Sequence, residues 1–271
     1  MTSPTINPSL RSKRTKQIAL LTIFTALYIV LRFIPYSVLI GGFGTLNFSD
    51  FLAPVIGIIL GPYLGGLSVV IGNFGAIGLG KPIMFNGLDF IPDLMAVLAT
   101  GFLIQQRRSR WAIVVALNAA LLAIFLVNPL TSVFVFSVPY AWLHIVAFIV
   151  LLTPISWVTA KWISNLKVNV TKIAAGIAVL TFIGVMMQSL AGNILYEVLL
   201  GQVFHIFTPA DYAAVWKVVF FVYPIERLFL VISAVIVGTP IIVTILRNHL
   251  IKIGKQEETA TTYPKQPEHS V

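Results

Sequence analysis

Few residues in this chain can recognise a solute, and they gather at the margins of long apolar runs. Asn193 and Glu197 stand four apart, with Ser189 one turn earlier and Tyr196 alongside. Residues four apart share a helical face, so this set would line one side of a helix near its end. An ionisable side chain in a membrane segment marks a functional site by default; the plainer alternative for Glu197 is an interfacial acid wetted by headgroups. Glu226 and Arg227 are adjacent, one turn after Tyr223. Helix neighbours point about 100° apart and pair poorly, so each needs its own partner, and Glu197 is the expected partner of Arg227.

Asn86, Asp89 and Asp93 follow an i, i+3, i+7 spacing where another apolar run begins. Aspartate caps helix N-termini and suits the positive end of the helix dipole, which accounts for one of the two acids. Two caps are not needed, so Asp93 is expected to face a site. Asn47 and Asp50 open an earlier run and read as a further capping pair. The candidate solute-binding set is Asn193, Glu197, Arg227, Asp93, Glu226, Asp89, Asn86 and Tyr223.

Other chemistries lack support. His144 and His205 share no metal-ligand spacing with each other or with a carboxylate, and cysteine is absent, so no metal site is expected. There is no Ser/His/Asp arrangement, no glycine-flanked serine and no Gly-x-x-x-x-Gly-Lys segment. The chain is therefore read as a non-enzyme without a cofactor, unable to hydrolyse ATP itself. Trp142, Phe204, Phe207, Tyr212 and Trp216 read mostly as an aromatic belt at the membrane interface, with a few free to stack on a planar ligand.

These residues need elements to hold them. Hydrophobic residues make up 58% of the 271 positions, charged residues only 10%, and mean hydropathy is +0.95; a soluble domain carries about 25% charged residues. The basic residues that flank the apolar runs form four clusters: Arg11 to Lys16, Arg107 to Arg110, Lys161 to Lys172, and Arg247 to Lys265. Asp50, Asp89, Asp93, Glu197, Asp211 and Glu226 lie far from all of them. Short Lys/Arg-rich loops stay cytoplasmic, so both termini are expected inside and the acids on the outer side. The net charge of +9 follows from those loops and is no nucleic-acid footprint, since no basic stripe runs along a helix.

The predicted fold is all-α, a multi-pass bundle of six to eight transmembrane helices in the cell membrane. Spans are expected over 17–35, 46–60, 62–79, 88–105, 111–127, 140–163, 173–199 and 224–246. The stretch 46–79 is broken at Gly61-Pro62, which gives two short helices packed through small residues. Counting it as one crossing would put a basic cluster outside, so eight is the preferred count. The first span imitates a signal peptide, but no small-x-small cleavage site follows it, and it is read as retained. Gly41-Gly42-Phe43-Gly44 falls in an outer loop, 200–223 is an outer segment, and Pro224 opens the last helix. Residues 1–16 are expected to be a disordered basic lead, 17–246 a single transmembrane domain and 247–271 a disordered tail.

Ala19 to Phe33, then Asp50-Phe51-Leu52-Ala53-Pro54 running into Gly61-Pro62-Tyr63-Leu64-Gly65-Gly66, resembles the front half of the substrate-binding S components of energy-coupling-factor (ECF) vitamin transporters. The resemblance covers roughly residues 11–104 and implies an outward-facing pocket, a transmembrane coupling subunit and two cytoplasmic ATPases. In that family small residues four apart on the first helix pack on the coupling subunit; the matching pair here is Thr22 and Ala26. The cobalt/nickel branch begins Met-His, whereas this chain begins Met1-Thr2, which argues against those metals. The favoured function is capture of a small, planar, vitamin-like solute on the outer face. The alternatives are an ion- or proton-coupled carrier in which Glu197 or Glu226 titrates, and, from other classes, a membrane assembly protein or an intramembrane enzyme.

Overall fold

A computed structural model describes residues 8–38, 45–130, 134–165 and 169–254, with side chains from Arg14 onward. The Gly41–Gly44 loop, Lys167, the tail from 255 and the side chains of Arg11 and Lys13 lie outside the described residues. Eight α-helices follow in order: α1 Pro8–Arg32, α2 Ser49–Gly78, α3 Ile91–Leu103, α4 Arg108–Val127, α5 Trp142–Leu152, α6 Pro154–Ser164, α7 Val170–Leu195 and α8 Pro209–Arg247. A π-helical segment, Tyr196–Val203, extends α7. Two small antiparallel ribbons interrupt the helices. β1 Pro35–Val38 pairs with β2 Thr45–Asn47, and β3 Phe134–Val135 with β4 Val138–Pro139. The protein is a helical, multi-pass membrane protein.

α2 and α7 are the most buried of the long helices. α7 packs against α2, α3, α4, α5, α6 and α8, and α3 lies between α2 and α7. Small residues make these approaches possible, because lipid offers helices little hydrophobic reason to associate and packing must supply it. A Cβ on Gly57 would lie 2.2 Å from Thr100 Oγ1 and 2.6 Å from the Val97 carbonyl, which locks α2 onto α3. Gly184 brings α7 onto α3 near Thr100, and Gly176 brings it onto α6 at the Thr159 carbonyl.

The Gly61-Pro62 break is where the sequence places it. Gly61 has φ 76° and ψ −179° inside α2, a backbone that L side chains avoid. The two arms double back: the Ile56 carbonyl lies 3.3 Å from a Cβ built on Gly65. Nine residues of straight helix would separate them by about 13 Å.

Other boundaries differ from the expected spans. Five helices are long and apolar enough to cross a membrane, or six if the α5–α6 pair, bent by 68°, is one span. α3 has 13 residues, fewer than the roughly 20 a full crossing needs. Length and composition alone mark five or six crossings among the described residues, with α2 counted once although its arms double back at Gly61-Pro62 and Lys81, past its end, reaches Asn47 before its start. The 140–163 span breaks at Thr153-Pro154, because the residue before proline is driven out of helical geometry; Thr153 is extended at φ −77°, ψ 160°.

Pro224 does not open the last helix. α8 starts at Pro209 behind a capping box in which Thr208 and Asp211 satisfy each other's backbone N–H groups, and Pro209 sits at the first position, where its missing N–H costs nothing. α8 carries Pro224 and Pro240 internally through its 39 residues, a length of about 58 Å, nearly twice a ~30 Å hydrocarbon core. α1 is helical from Pro8, and after α8 the chain turns so that Ile253 is buried at the ends of α3 and α6.

Candidate functional site

The helices that carry basic clusters at one end deliver polar residues to the other. Arg32 ends α1, Asp93 begins α3, and Gln188 to Tyr196 end α7, while the clusters flank the opposite ends of these same elements. Between them lies a cavity of about 120 Å³, closed by β2, the start of α2, the 84–93 segment, Tyr140 and the middle of α8. That space is several times what one water molecule requires.

Asp93 organises the inner wall. The Tyr28 hydroxyl donates to its Oδ2, and Arg32 Nη1 lies 3.2 Å from the same oxygen. Gln188 Nε2 donates to Oδ1 at 2.5 Å. Helices α1, α3 and α7 thus meet at one carboxylate, and Arg32 also reaches the Asp89 carbonyl at 3.5 Å. Both oxygens of the Asp93 carboxylate are taken by these donors, as a buried ion pair requires, while Arg32 Nε stays buried without a partner. On the opposite wall Arg227 pairs with Glu226 at 3.7 Å, and Ser37 donates to Glu226.

Asp89 accepts from the backbone N–H groups of Met84 and Phe85 at 2.8 and 3.1 Å, so it shapes the segment before α3. Asp50 accepts from the Asn47 N–H at 3.1 Å, but the N-cap of α2 is Phe48 and no side chain caps it, so Asn47 and Asp50 tie the ribbon to the helix where a cap was expected. Lys81 donates to Asn47 Oδ1 at 2.9 Å and to Thr45 Oγ1 at 3.4 Å. Burial, followed by the nearby Arg32 charge, holds its ammonium below the ordinary lysine range.

Of the residues singled out from sequence, Asp89, Asp93, Asn193, Tyr223, Glu226 and Arg227 line this cavity. Asn86 does not. It is exposed in a left-handed turn at φ 51°, a conformation asparagine tolerates. Glu197 is fully buried beside the cavity but off its lining, and accepts from Asn128 Nδ2 at 2.7 Å. Asn128 in turn accepts from the Leu130 N–H at 3.1 Å, tying the end of α7 to the segment after α4. Glu197 lies at the start of the π-helical segment and is held by Asn128, while Ser189 and Asn193 line the cavity. The ion pair recorded for Arg227 is with its neighbour Glu226, not Glu197, since flexible side chains can close a gap that ideal helix directions leave open.

Arg32, Tyr28, Gln188 and Tyr140 were missed. A signal existed for Arg32: it belongs to none of the basic clusters, yet ends the first apolar run. The aromatics differ too. Tyr196, Tyr212 and Trp216 pack together with Tyr140 and Phe125 in a second buried cluster, with Trp216 donating to the Leu130 carbonyl at 3.1 Å and Tyr212 to the Tyr196 carbonyl at 2.8 Å. They form a core at this end of the bundle, where a headgroup belt was expected. Among the described residues no group of three metal-ligating side chains converges.

A mostly apolar cavity with aromatic walls and a few convergent polar groups, at one end of a membrane helical bundle, has the make-up of a small-ligand site. The chain belongs to the ECF transporter substrate-specific component family, whose model matches residues 16–166. No curated protein and no solved structure matches it. Membership makes the chain a multi-pass cell-membrane subunit that binds a transporter's substrate, and not an enzyme. Components of this family work with a membrane coupling subunit and ATPases.

Proposed function

We propose that the cavity between α1, α3, α7 and α8 captures a small, planar, vitamin-like solute on the outer face of the cell membrane. The observation that carries this is the convergence of Arg32, Asp93, Gln188, Asn193, Glu226 and Arg227 on one enclosed space, at the end opposite the basic clusters, which the charge rule makes cytoplasmic. Isolated charges would be costly there, and small-ligand sites combine apolar walls with a few convergent polar groups.

Delivery would then follow docking on a transmembrane coupling subunit driven by two cytoplasmic ATPases. Thr22 and Ala26 are both exposed on α1 and are the proposed docking pair, with small side chains that allow close backbone approach. Mass spectrometry of the purified protein should find a small aromatic solute bound at about one per chain, lost from a Gly192→Trp variant that still folds, since Gly192 lines the cavity with its nearest neighbour 3.8 Å from a built Cβ. A solute retained by that variant would place the binding site elsewhere.

A further inference from the structure

We infer that the groove between α5, α7 and α8 holds one glycerophospholipid, with an acyl chain along its apolar walls and the phosphate on Arg227. The groove encloses about 470 Å³ on the flank of the bundle, and every residue lining it except Arg227 is apolar. Its origin is local. The Thr153-Pro154 break bends α5 away from α6 by 68°, and α5 and α8 both pack on α7 but scarcely on each other. Tyr223 of α8 joins them at the outer end, donating to the Tyr140 carbonyl at 3.0 Å. Below that tie a channel stays open, lined by Val150 of α5, Ala178 and Phe182 of α7 and Val231 of α8.

The surroundings set this groove in hydrocarbon. Ile149 beside it and Leu228 within it are each more than half exposed, a surface that water does not favour. Depth follows from α8. Arg227 stands twenty residues before Arg247 of the cytoplasmic basic cluster, and twenty residues of helix cover about 30 Å, the thickness of the hydrocarbon core. With Arg247 at the inner edge, Arg227 comes to the outer edge, where lipid phosphates lie. From Leu143 to Val150 the α5 wall runs seven residues inward, about 10 Å, within the roughly 15 Å that one leaflet's chains span.

Arg227 selects the ligand. It is 8% exposed, yet its Nε is buried without a hydrogen-bond partner. Its Nη2 lies 3.7 Å from Glu226, beyond hydrogen-bond distance. A guanidinium offers five N–H donors in a planar fork that suits phosphate, and here donors are left unused. A phospholipid brings acceptor oxygens and an apolar chain in one molecule. A partner helix would arrive with its backbone groups already paired and leave the buried N–H unmet. The proposed docking helix, α1, packs chiefly on α2, away from the α5 wall.

The test uses full-length protein, delipidated in detergent and titrated under native mass spectrometry with dioleoylphosphatidylglycerol, dioleoylglycerol or glycerol phosphate. The phospholipid should bind at one per chain. Dioleoylglycerol, which lacks the phosphate, should bind at least ~10-fold more weakly, the scale of a hydrogen bond to a charged group. Glycerol phosphate, which lacks the chains, should be weaker still, because each buried methylene contributes roughly fourfold. Arg227→Leu should bring the phospholipid down to the dioleoylglycerol level. Ala178→Trp narrows the groove without touching a charge and should weaken both lipids ~10-fold or more.

A second measurement leaves Arg227 intact. A photoreactive benzoylphenylalanine in place of the exposed Leu228, irradiated in cell membranes, should give a phospholipid adduct that Ala178→Trp removes. Equal binding of dioleoylglycerol or glycerol phosphate, phospholipid binding unchanged in either variant, or a polypeptide adduct with no lipid adduct would overturn the proposal.

Discussion

Asp93→Asn should destabilise the protein more than any other single isosteric change in the cavity wall. The wild-type carboxylate takes hydrogen bonds from Tyr28 and Arg32 on one oxygen and from Gln188 on the other. An asparagine keeps the shape but offers one acceptor and one donor, so a donor must face either the Gln188 amide or the Tyr28–Arg32 pair. Arg32, with a side chain 9% exposed, is left charged without its counter-ion. Removing one member of a buried pair costs about 3–5 kcal/mol, whereas replacing both with apolar residues of similar volume is often neutral. The single variant is therefore expected to lose ~3–5 kcal/mol, and Arg32→Met with Asp93→Leu to lose much less than the sum of the single changes, a coupling of roughly 2–3 kcal/mol. Equilibrium unfolding in mixed detergent and SDS micelles reads both, with Asp211→Asn as the control, since Asp211 is exposed at the α8 cap. A loss for Asp93→Asn no larger than for Asp211→Asn, or a double variant whose cost is the plain sum, would refute the buried-pair account.

The remaining predictions test packing, docking and orientation. Gly57→Ala places a methyl 2.2 Å from Thr100 Oγ1 and 2.6 Å from a carbonyl and should cost about 1–3 kcal/mol or more in the same unfolding assay; Gly78→Ala, with nothing within 4 Å, should be close to neutral. Thr22→Leu with Ala26→Leu should abolish uptake in cells while leaving solute binding by the isolated protein unchanged, and normal uptake would remove α1 from the docking surface. In this cysteine-free chain, a cysteine at Ser109 should react only with reagent admitted to the cytoplasm and one at Asn86 with impermeant reagent from outside. Labelling of position 109 from outside would invert the topology.

What could be read in the sequence was whatever depends on composition and on short-range chemistry. High hydropathy and sparse charge specify a membrane bundle, because lipid admits only helices or closed barrels. The Gly61-Pro62 turn was legible since glycine and proline act through their own backbones. So was the gathering of Asp93, Asn193, Glu226 and Arg227, since charges far from the basic clusters need a common polar refuge. The tertiary structure decided the rest. Whether Pro224 starts a helix or sits inside one depended on the Thr208–Asp211 capping box upstream and on neighbouring helices that support the interruption. Glu197 stands off the cavity lining, held by Asn128 from the segment after α4, a contact across 69 residues that no local spacing predicts. Arg32 and Gln188 reach Asp93 across 61 and 95 residues of chain. Each looks ordinary alone, and only the packing of α1 on α2 and of α7 on α3, set by glycine contacts between helices, makes one carboxylate their shared partner.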